Sequence, residues 1–197
     1  MENIRFHITV KGIVVFNTPG ANANAVKELV LCALFLSSRK IAESIEWVNT
    51  LKDDENVGKT AEKGKSNFVG PEIEGKKLGV IGLGAIGVLV ANAANKLGME
   101  VYGYDPFMSV NSAWALSKHV RQAKDMDEIF KTCDYITVHV PSTKDTKGML
   151  NKEKFALMKD GARLLNFARG DLVVNEDLLE AVESGNLSKY ITDFASQ

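Results

Sequence analysis

The sequence predicts a doubly wound, mainly parallel α/β sheet with helices on both faces. Three observations predict it. Short β-branched runs alternate with amphipathic stretches of about ten residues, the rhythm of βαβ units. A glycine-rich segment, Gly82-Leu83-Gly84-Ala85-Ile86-Gly87, follows one such run and opens the next helical stretch. Several strands also run out into polar or glycine-containing turns, where open α/β sheets carry their sites.

Taken in order, Ile13 to Phe16 reads as a strand and Asn17-Thr18-Pro19-Gly20 as a turn. From Asn22 to about Leu51 the spacing of Val26, Leu29, Val30, Ala33, Ile41 and Ile45 predicts one long helix. Asp53 to Asn67, charged and glycine-containing, reads as a surface excursion rather than an element. Leu78 to Ile81 is a strand, Ala85 to Leu97 a helix ended by Gly98, and Glu100 to Tyr104 a strand. Asp125 to Phe130 is a short helix with Asp125 and Glu128 spaced as a capping box. Asp134 to Val140 is a strand stopped by Pro141, and Asn151 to Met158 a helix capped by Asn151. Ala162 to Asn166 is a strand, Asn175 to Ser184 a helix, and Lys189 to Asp193 the last strand. Residues 1–197 read as a single domain cut at both ends, because Ile13 to Phe16 has no full unit before it and the chain stops at a strand tip.

Composition narrows the function classes. The chain has 197 residues, 45% of them hydrophobic, enough for a buried core. With 24 basic and 25 acidic residues and no block of one sign, neither a nucleic-acid footprint nor a polybasic membrane patch is present. Met1 to Val10 lacks the pattern of a signal peptide. The weakly polar stretch from Leu78 to Ala91 is shorter than the ~20 residues of a membrane span, and four of its residues are glycine. Cys32 and Cys133 have no metal-ligand spacing, so no metal is expected, and reduced thiols in a cytoplasmic protein are the default.

Four segments carry chemistry. In the first, Gly82 allows a tight turn, Gly84 lets a pyrophosphate approach the backbone, and Gly87 lets the helix pack on its strand, as in Rossmann-type dinucleotide sites. The diphosphate would sit at the helix N-terminus. The second is Asp105, which ends the next strand eighteen residues after Gly87, close to the ~20 expected of a ribose-binding acid. Its carboxylate would repel a 2′-phosphate, and no arginine follows before Arg121, so NAD is favoured over NADP. The bland alternative is an aspartate serving the turn before Pro106.

The third is Val140-Pro141, with the loop to Thr146, at the sheet's carboxyl edge where it can line a cofactor crevice. His139 just before it is a tempting base. It alternates with apolar neighbours on one face of a strand, however, which favours a structural role, and His7 and His119 have less support still. The fourth is Asn166-Phe167-Ala168-Arg169-Gly170-Asp171. Arg169 follows a strand, and its planar fork of donors suits a 2-oxo or 2-hydroxy carboxylate and would polarise a carbonyl that receives hydride.

Phe16-Asn17-Thr18-Pro19-Gly20-Ala21-Asn22, the Gly82–Gly87 fingerprint, His139-Val140-Pro141-Ser142-Thr143-Lys144-Asp145-Thr146 and Asn166-Phe167-Ala168-Arg169-Gly170 together resemble the D-2-hydroxyacid dehydrogenases, in that order. The likeness runs from Gly12 to Phe194. The wording of the last motif and the closing Thr192-Asp193-Phe194 are most similar to the family's 3-phosphoglycerate branch. The resemblance implies that Ala85 and Ile86 touch the diphosphate and Asp105 the ribose. It implies that Val140, Pro141 and Thr146 flank the cofactor, Phe167 and Ala168 lie near the nicotinamide, Arg169 binds substrate, and Asp193 holds the carboxamide region. It implies a homodimer, formed through the helix starting near Asn22. It also implies that the family's acid–base histidine and its glutamate partner lie beyond residue 197, and that most of the substrate domain is missing.

Two function classes follow. One is an oxidoreductase, or its cofactor domain, moving hydride between NAD and a small 2-hydroxy acid. The other is a non-catalytic NAD-binding and dimerising module. A methyltransferase is disfavoured because Arg169 and the Val140-Pro141 loop would have no purpose in it.

Overall fold

The computed structural model describes Thr18 and residues 20–195. The expected strand Ile13–Phe16 and most of the turn after it lie outside these residues.

Six strands form one sheet: β1 (Lys77–Ile81), β2 (Glu100–Tyr104), β3 (Arg121–Gln122), β4 (Tyr135–Val138), β5 (Ala162–Asn166) and β6 (Leu187–Thr192). Their order is β3-β2-β1-β4-β5-β6 and every pairing is parallel. The chain builds outward from β1 through β2 to β3, then returns to the other side of β1 at β4. The reversal falls between the carboxyl ends of β1 and β4, and it is at such a switch point that open α/β sheets bind ligands.

Register decides what stands at that edge. Ile81 pairs with both Tyr104 and Val138, Val138 pairs with Asn166, and Asn166 pairs with Thr192. These five residues form one row across the sheet. The residues that follow them, Gly82, Asp105, His139, Phe167 and Asp193, therefore leave the sheet side by side.

Helices cover both faces. On one lie α1 (Ala23–Ser38) and α4 (Ala85–Lys96); on the other lie α6 (Met126–Thr132), α7 (Lys152–Leu157) and α8 (Asn175–Glu183). β4 is buried along its whole length, as a strand covered on both faces must be. Tyr135 packs with Val30, Leu34 and Leu165 on the first face, while Ile136 and Val138 pack with Ile129, Phe130 and Leu164 on the second. At roughly 1.5–3 kcal/mol for each large apolar side chain buried, these two layers dominate the stability.

Caps set the helix starts. Asp125 accepts from the Glu128 amide at 2.9 Å and Asn151 from the Lys154 amide at 3.2 Å. The Glu128 carboxylate reaches back past the cap to the Lys124 amide at 2.7 Å, a one-residue variant of the expected box.

Three expectations need correction. The single helix from Asn22 to Leu51 is two, α1 and α2 (Ile41–Asn49), separated by Arg39 in extended conformation. Ser37 and Ser38 both turn their hydroxyls onto the Leu34 carbonyl, which weakens the helical ladder there. Ser38 also meets the Tyr135 hydroxyl at 2.8 Å, and the backbone at Gly70 comes so near that a Cβ would lie 1.9 Å from the Ser38 carbonyl oxygen. Next, the Asp53–Asn67 excursion contains α3 (Val57–Gly64) and a 3₁₀ turn at Lys65–Phe68, pinned by Trp47 against Phe68, ring centroids 5.1 Å apart. Finally, α5 (Val110–Ala115) and the two-residue β3 fill a stretch left unassigned; Ser109 caps α5 by accepting from the Ser112 amide. No helix among the described residues is long and apolar enough to cross a membrane.

Candidate functional site

The glycine turn has the backbone its sequence demands. Gly82 has φ +92°, a conformation that side chains disfavour. A Cβ there would also strike the His139 carbonyl at 2.8 Å and Val140 at 2.9 Å. At Gly87 a Cβ would lie 1.9 Å from the Gly82 carbonyl oxygen, so only glycine lets α4 pack this closely on the turn. Gly84 is different. It is the residue before α4, and a Cβ there would meet nothing within 4 Å. Its glycine keeps a space clear in front of the first amides of α4, at Ala85 and Ile86, where an anion is favoured by free N–H groups and the helix dipole.

Asp105 closes the neighbouring part of the edge. Its two carboxylate oxygens accept one backbone N–H each, from Leu83 at 2.8 Å and Phe107 at 2.8 Å. The same acid thus serves the turn, as the bland reading of the sequence supposed, and ties the glycine loop to the end of β2. Each oxygen retains lone-pair capacity for a hydroxyl donor. Beside it opens a cavity of about 440 Å³ with Leu83, Met108, Leu116, Val120 and Ala123 in its wall. Arg121, the first arginine after Asp105, also borders this cavity, but its guanidinium is drawn back along β2. It donates to the Tyr102 hydroxyl at 2.9 Å and pairs with Glu100 at 3.1 Å.

Beyond β4 the chain forms a compact loop. Val140 abuts Gly82, and Pro141 is exposed. The Thr146 hydroxyl donates to the Pro141 carbonyl at 2.6 Å and accepts from the Thr143 amide at 2.8 Å, so it shapes the loop from within.

His139 faces inward. Its Nε2 lies 3.0 Å from the Thr137 hydroxyl, and its Nδ1 is buried without a hydrogen-bond partner among the described residues. Burial pushes its pKa down to about 4, so the ring is neutral at physiological pH. His119 is exposed, in the connection leading to β3 at the opposite end of the sheet from Arg169. Burial likewise pushes the Cys133 thiol up to about 12, which makes it inert, and Cys32 is exposed on α1.

Arg169 is exposed in a turn that a buried residue holds. Asn166, at the end of β5, accepts from the Ala168 and Arg169 amides at 3.1 and 3.3 Å and donates to the Arg169 carbonyl at 2.8 Å. Its Nδ2 also reaches the Tyr190 hydroxyl at 3.2 Å. Asn166 is the functional residue the sequence reading passed over. Its signal was available, an asparagine three residues ahead of the arginine, able to close the turn on itself. The Arg169 guanidinium donates to its own Ala168 carbonyl at 2.6 Å and makes no ion pair with a described residue. Asp193 is exposed after β6, and the adjoining Phe194 side chain lies against Gly170.

The edge thus presents the glycine turn and the Asp105 carboxylate on one side of β1 and β4, and on the other a guanidinium with no ion pair among the described residues and the Asp193 carboxylate. A family model described as D-isomer specific 2-hydroxyacid dehydrogenase, NAD binding domain, matches residues 31–197. This chain belongs to that family. NAD is the cofactor of its domain, and the open space at Gly84, the Asp105 carboxylate and the withdrawn Arg121 all fit that molecule.

Among curated relatives, a D-3-phosphoglycerate dehydrogenase of Bacillus subtilis is 36% identical over 181 residues, 91% of this chain and 32% of the relative. The Homo sapiens D-3-phosphoglycerate dehydrogenase is 38% identical over 179 residues, 90% of this chain and 31% of the relative. The chain therefore spans about a third of the length of these relatives. Among solved structures, apo D-lactate dehydrogenase from Escherichia coli superposes with a TM-score of 0.79 at 25% identity, covering 94% of this chain and 54% of that one. D-lactate dehydrogenase with NAD+ from Lactobacillus jensenii superposes with a TM-score of 0.77 at 30% identity, covering 98% and 55%.

Proposed function

We propose that this chain is the cofactor half of an NAD-dependent D-2-hydroxyacid dehydrogenase acting on D-3-phosphoglycerate, a step of serine biosynthesis. The single observation that carries this reading is the placement of Arg169. An arginine with no ion pair among the described residues stands on the same sheet edge as the cradle at Gly84, across the β1/β4 switch point. The choice of 3-phosphoglycerate rests on the curated relatives, whose names carry it.

When bound, NAD supplies or accepts the hydride. The protein's part is to bind, orient and polarise. In this reading Gly84, Ala85 and Ile86 receive the diphosphate and Asp105 the adenosine ribose hydroxyls. Val140 and Pro141, with Thr146 bracing their loop, wall the crevice. Phe167 and Ala168 would lie beside the nicotinamide, and Asp193 would accept from its carboxamide. Arg169 would grip the substrate carboxylate in a fork, and its charge would stabilise negative charge on the C2 oxygen.

A second reading has its own support. His139 has its Nε2 engaged and a depressed pKa, and no other described histidine stands beside Arg169. General acid catalysis typically contributes ~10²–10⁴-fold in rate. Residues 1–197, as a single NAD-binding domain, would then bind cofactor and dimerise while turning over substrate poorly. We place the protein in the cytoplasm, where two unpaired thiols stay reduced.

The dimer is assigned to α1 and α2. Leu29, Leu36, Ile41, Ile45 and Val48 are exposed on these two helices, more apolar surface than one short helical pair needs to show.

One assay tests the reading. NADH formation from D-3-phosphoglycerate and from D-lactate is measured for this chain and for a version extended by fusion to the remaining segments of the Bacillus subtilis relative. Turnover by the extended protein, lost in Arg169→Ala, is expected; absence of turnover in both proteins with both substrates would overturn it.

A further inference from the structure

The turn that carries Arg169 is held from two directions. From β5 the hold is Asn166. From the loop after β4 it is Ser142, whose hydroxyl donates to Asp171 Oδ2 at 2.6 Å. The length is that of a charge-assisted O–H to carboxylate bond, made here between two exposed side chains. The Gly148 amide adds a bond to the Asp171 carbonyl at 2.9 Å. Among the described residues Ser142–Asp171 is the one side-chain bond between the Val140–Thr146 loop and the arginine turn.

Asp171 is also the acid nearest Arg169 in sequence, two residues away across a glycine. Arg169 is extended, with φ −154° and ψ 140°. A carboxylate so close along the chain can reach a guanidinium by side-chain rotation, and its effective concentration there would far exceed that of a dissolved acid. The structure shows no such pair. Asp171 is turned to Ser142, and among the described residues the Arg169 guanidinium donates only to the Ala168 carbonyl.

We infer that Ser142 and Asp171 are positioning residues that keep the Arg169 fork open. Ser142 holds Oδ2 of the Asp171 carboxylate and so orients that group away from the arginine, and by the same bond it fixes the arginine turn to the cofactor loop. The substrate carboxylate then meets an unpaired guanidinium. This rests on the reading of Arg169 as the substrate's carboxylate ligand, and the experiment separates the two.

Phenylglyoxal labelling of Arg169, located by peptide mass mapping, reads whether the guanidinium is paired and needs no turnover. In the full chain, Ser142→Ala is expected to slow labelling of Arg169 on the order of tenfold. Ser142→Thr, which keeps the hydroxyl, restores the rate, and so does the double variant Ser142→Ala with Asp171→Asn, whose neutral side chain no longer competes. A purely structural role for Ser142 would not be rescued by Asp171→Asn. Retained NADH binding verifies the fold of each variant. Equal labelling of wild type and Ser142→Ala, or equal slowing in the double variant, overturns the inference. Oxalate binding to the NADH complex tests the other link. If labelling follows the expected pattern but oxalate does not bind, the role of Arg169 fails and the latch stands. If oxalate binds and labelling is indifferent to Ser142, the latch alone fails.

Discussion

The Leu83 amide donates to Asp105 Oδ2 at 2.8 Å, joining the glycine loop after β1 to the first residue beyond β2. One carboxylate therefore holds the glycine loop that, in the proposed reading, receives the diphosphate, and is the group proposed to read the ribose. Asp105→Ala is expected to weaken NADH binding at least tenfold and narrow the preference over NADPH. It would also cost about 2 kcal/mol of stability, since two backbone amides lose a charged partner. Fluorescence titration with both cofactors and a urea melt would measure the two effects; unchanged discrimination would refute the ribose assignment.

The fingerprint glycines should separate by mechanism. Gly87→Ala places a methyl 1.9 Å from the Gly82 carbonyl oxygen, so α4 must shift. A loss of at least ~2 kcal/mol is expected, with NADH binding falling too. Gly84→Ala meets no atom within 4 Å and has an ordinary φ of −79°. Its stability should stay within about 0.5 kcal/mol of wild type while NADH affinity falls tenfold or more, because the methyl enters the cradle. Thermal melts paired with NADH titration distinguish these outcomes; full affinity in Gly84→Ala would place the diphosphate elsewhere.

Acid sensitivity should trace to His139. Its folded pKa of about 4 lies below the ordinary 6.5, so between these values the unfolded chain binds more protons than the folded one. Stability is then full above pH 6.5 and falls as pH drops toward 4, by about 3 kcal/mol in all. Asp127 and Asp134, held below the usual carboxylate range, act mainly at still lower pH. Urea midpoints at pH 7, 5.5 and 4.5 should converge between wild type and His139→Gln as pH falls. Parallel pH profiles would show that the ring protonates freely in the folded state.

Association should depend on α1 and α2. The chain is expected to sediment as a dimer at micromolar concentration, and Ile45→Glu with Leu36→Glu as a monomer that still binds NADH. A wild-type monomer would count against the assignment.

Much of this was legible in one dimension, for identifiable reasons. The strand edges and the fingerprint were readable because burial on two faces imposes apolar runs, and because backbone closeness at Gly82 and Gly87 excludes every other residue. Ser109 and Asn166 were readable too, as short polar side chains spaced to close a turn, and were passed over. Other features had no local signal. The apolar spacing continues through Arg39, and the helix breaks there because Ser38 meets Tyr135 and Gly70, both far away in sequence. Trp47 and Phe68 hold α3 in a stretch whose own residues bury nothing.

The residue types set the chemistry by themselves: a dinucleotide turn, an acid at ribose spacing, an arginine after a strand. Which of these groups stand together, and which are free, only the tertiary structure decided. Parallel register aligned Gly82, Asp105, His139, Phe167 and Asp193 in one row. Burial neutralised His139, Tyr102 and Glu100 drew Arg121 back, and Ser142 engaged Asp171 from 29 residues away. Each outcome depends on distance and solvent exclusion between segments remote in sequence, and spacing along a chain carries neither.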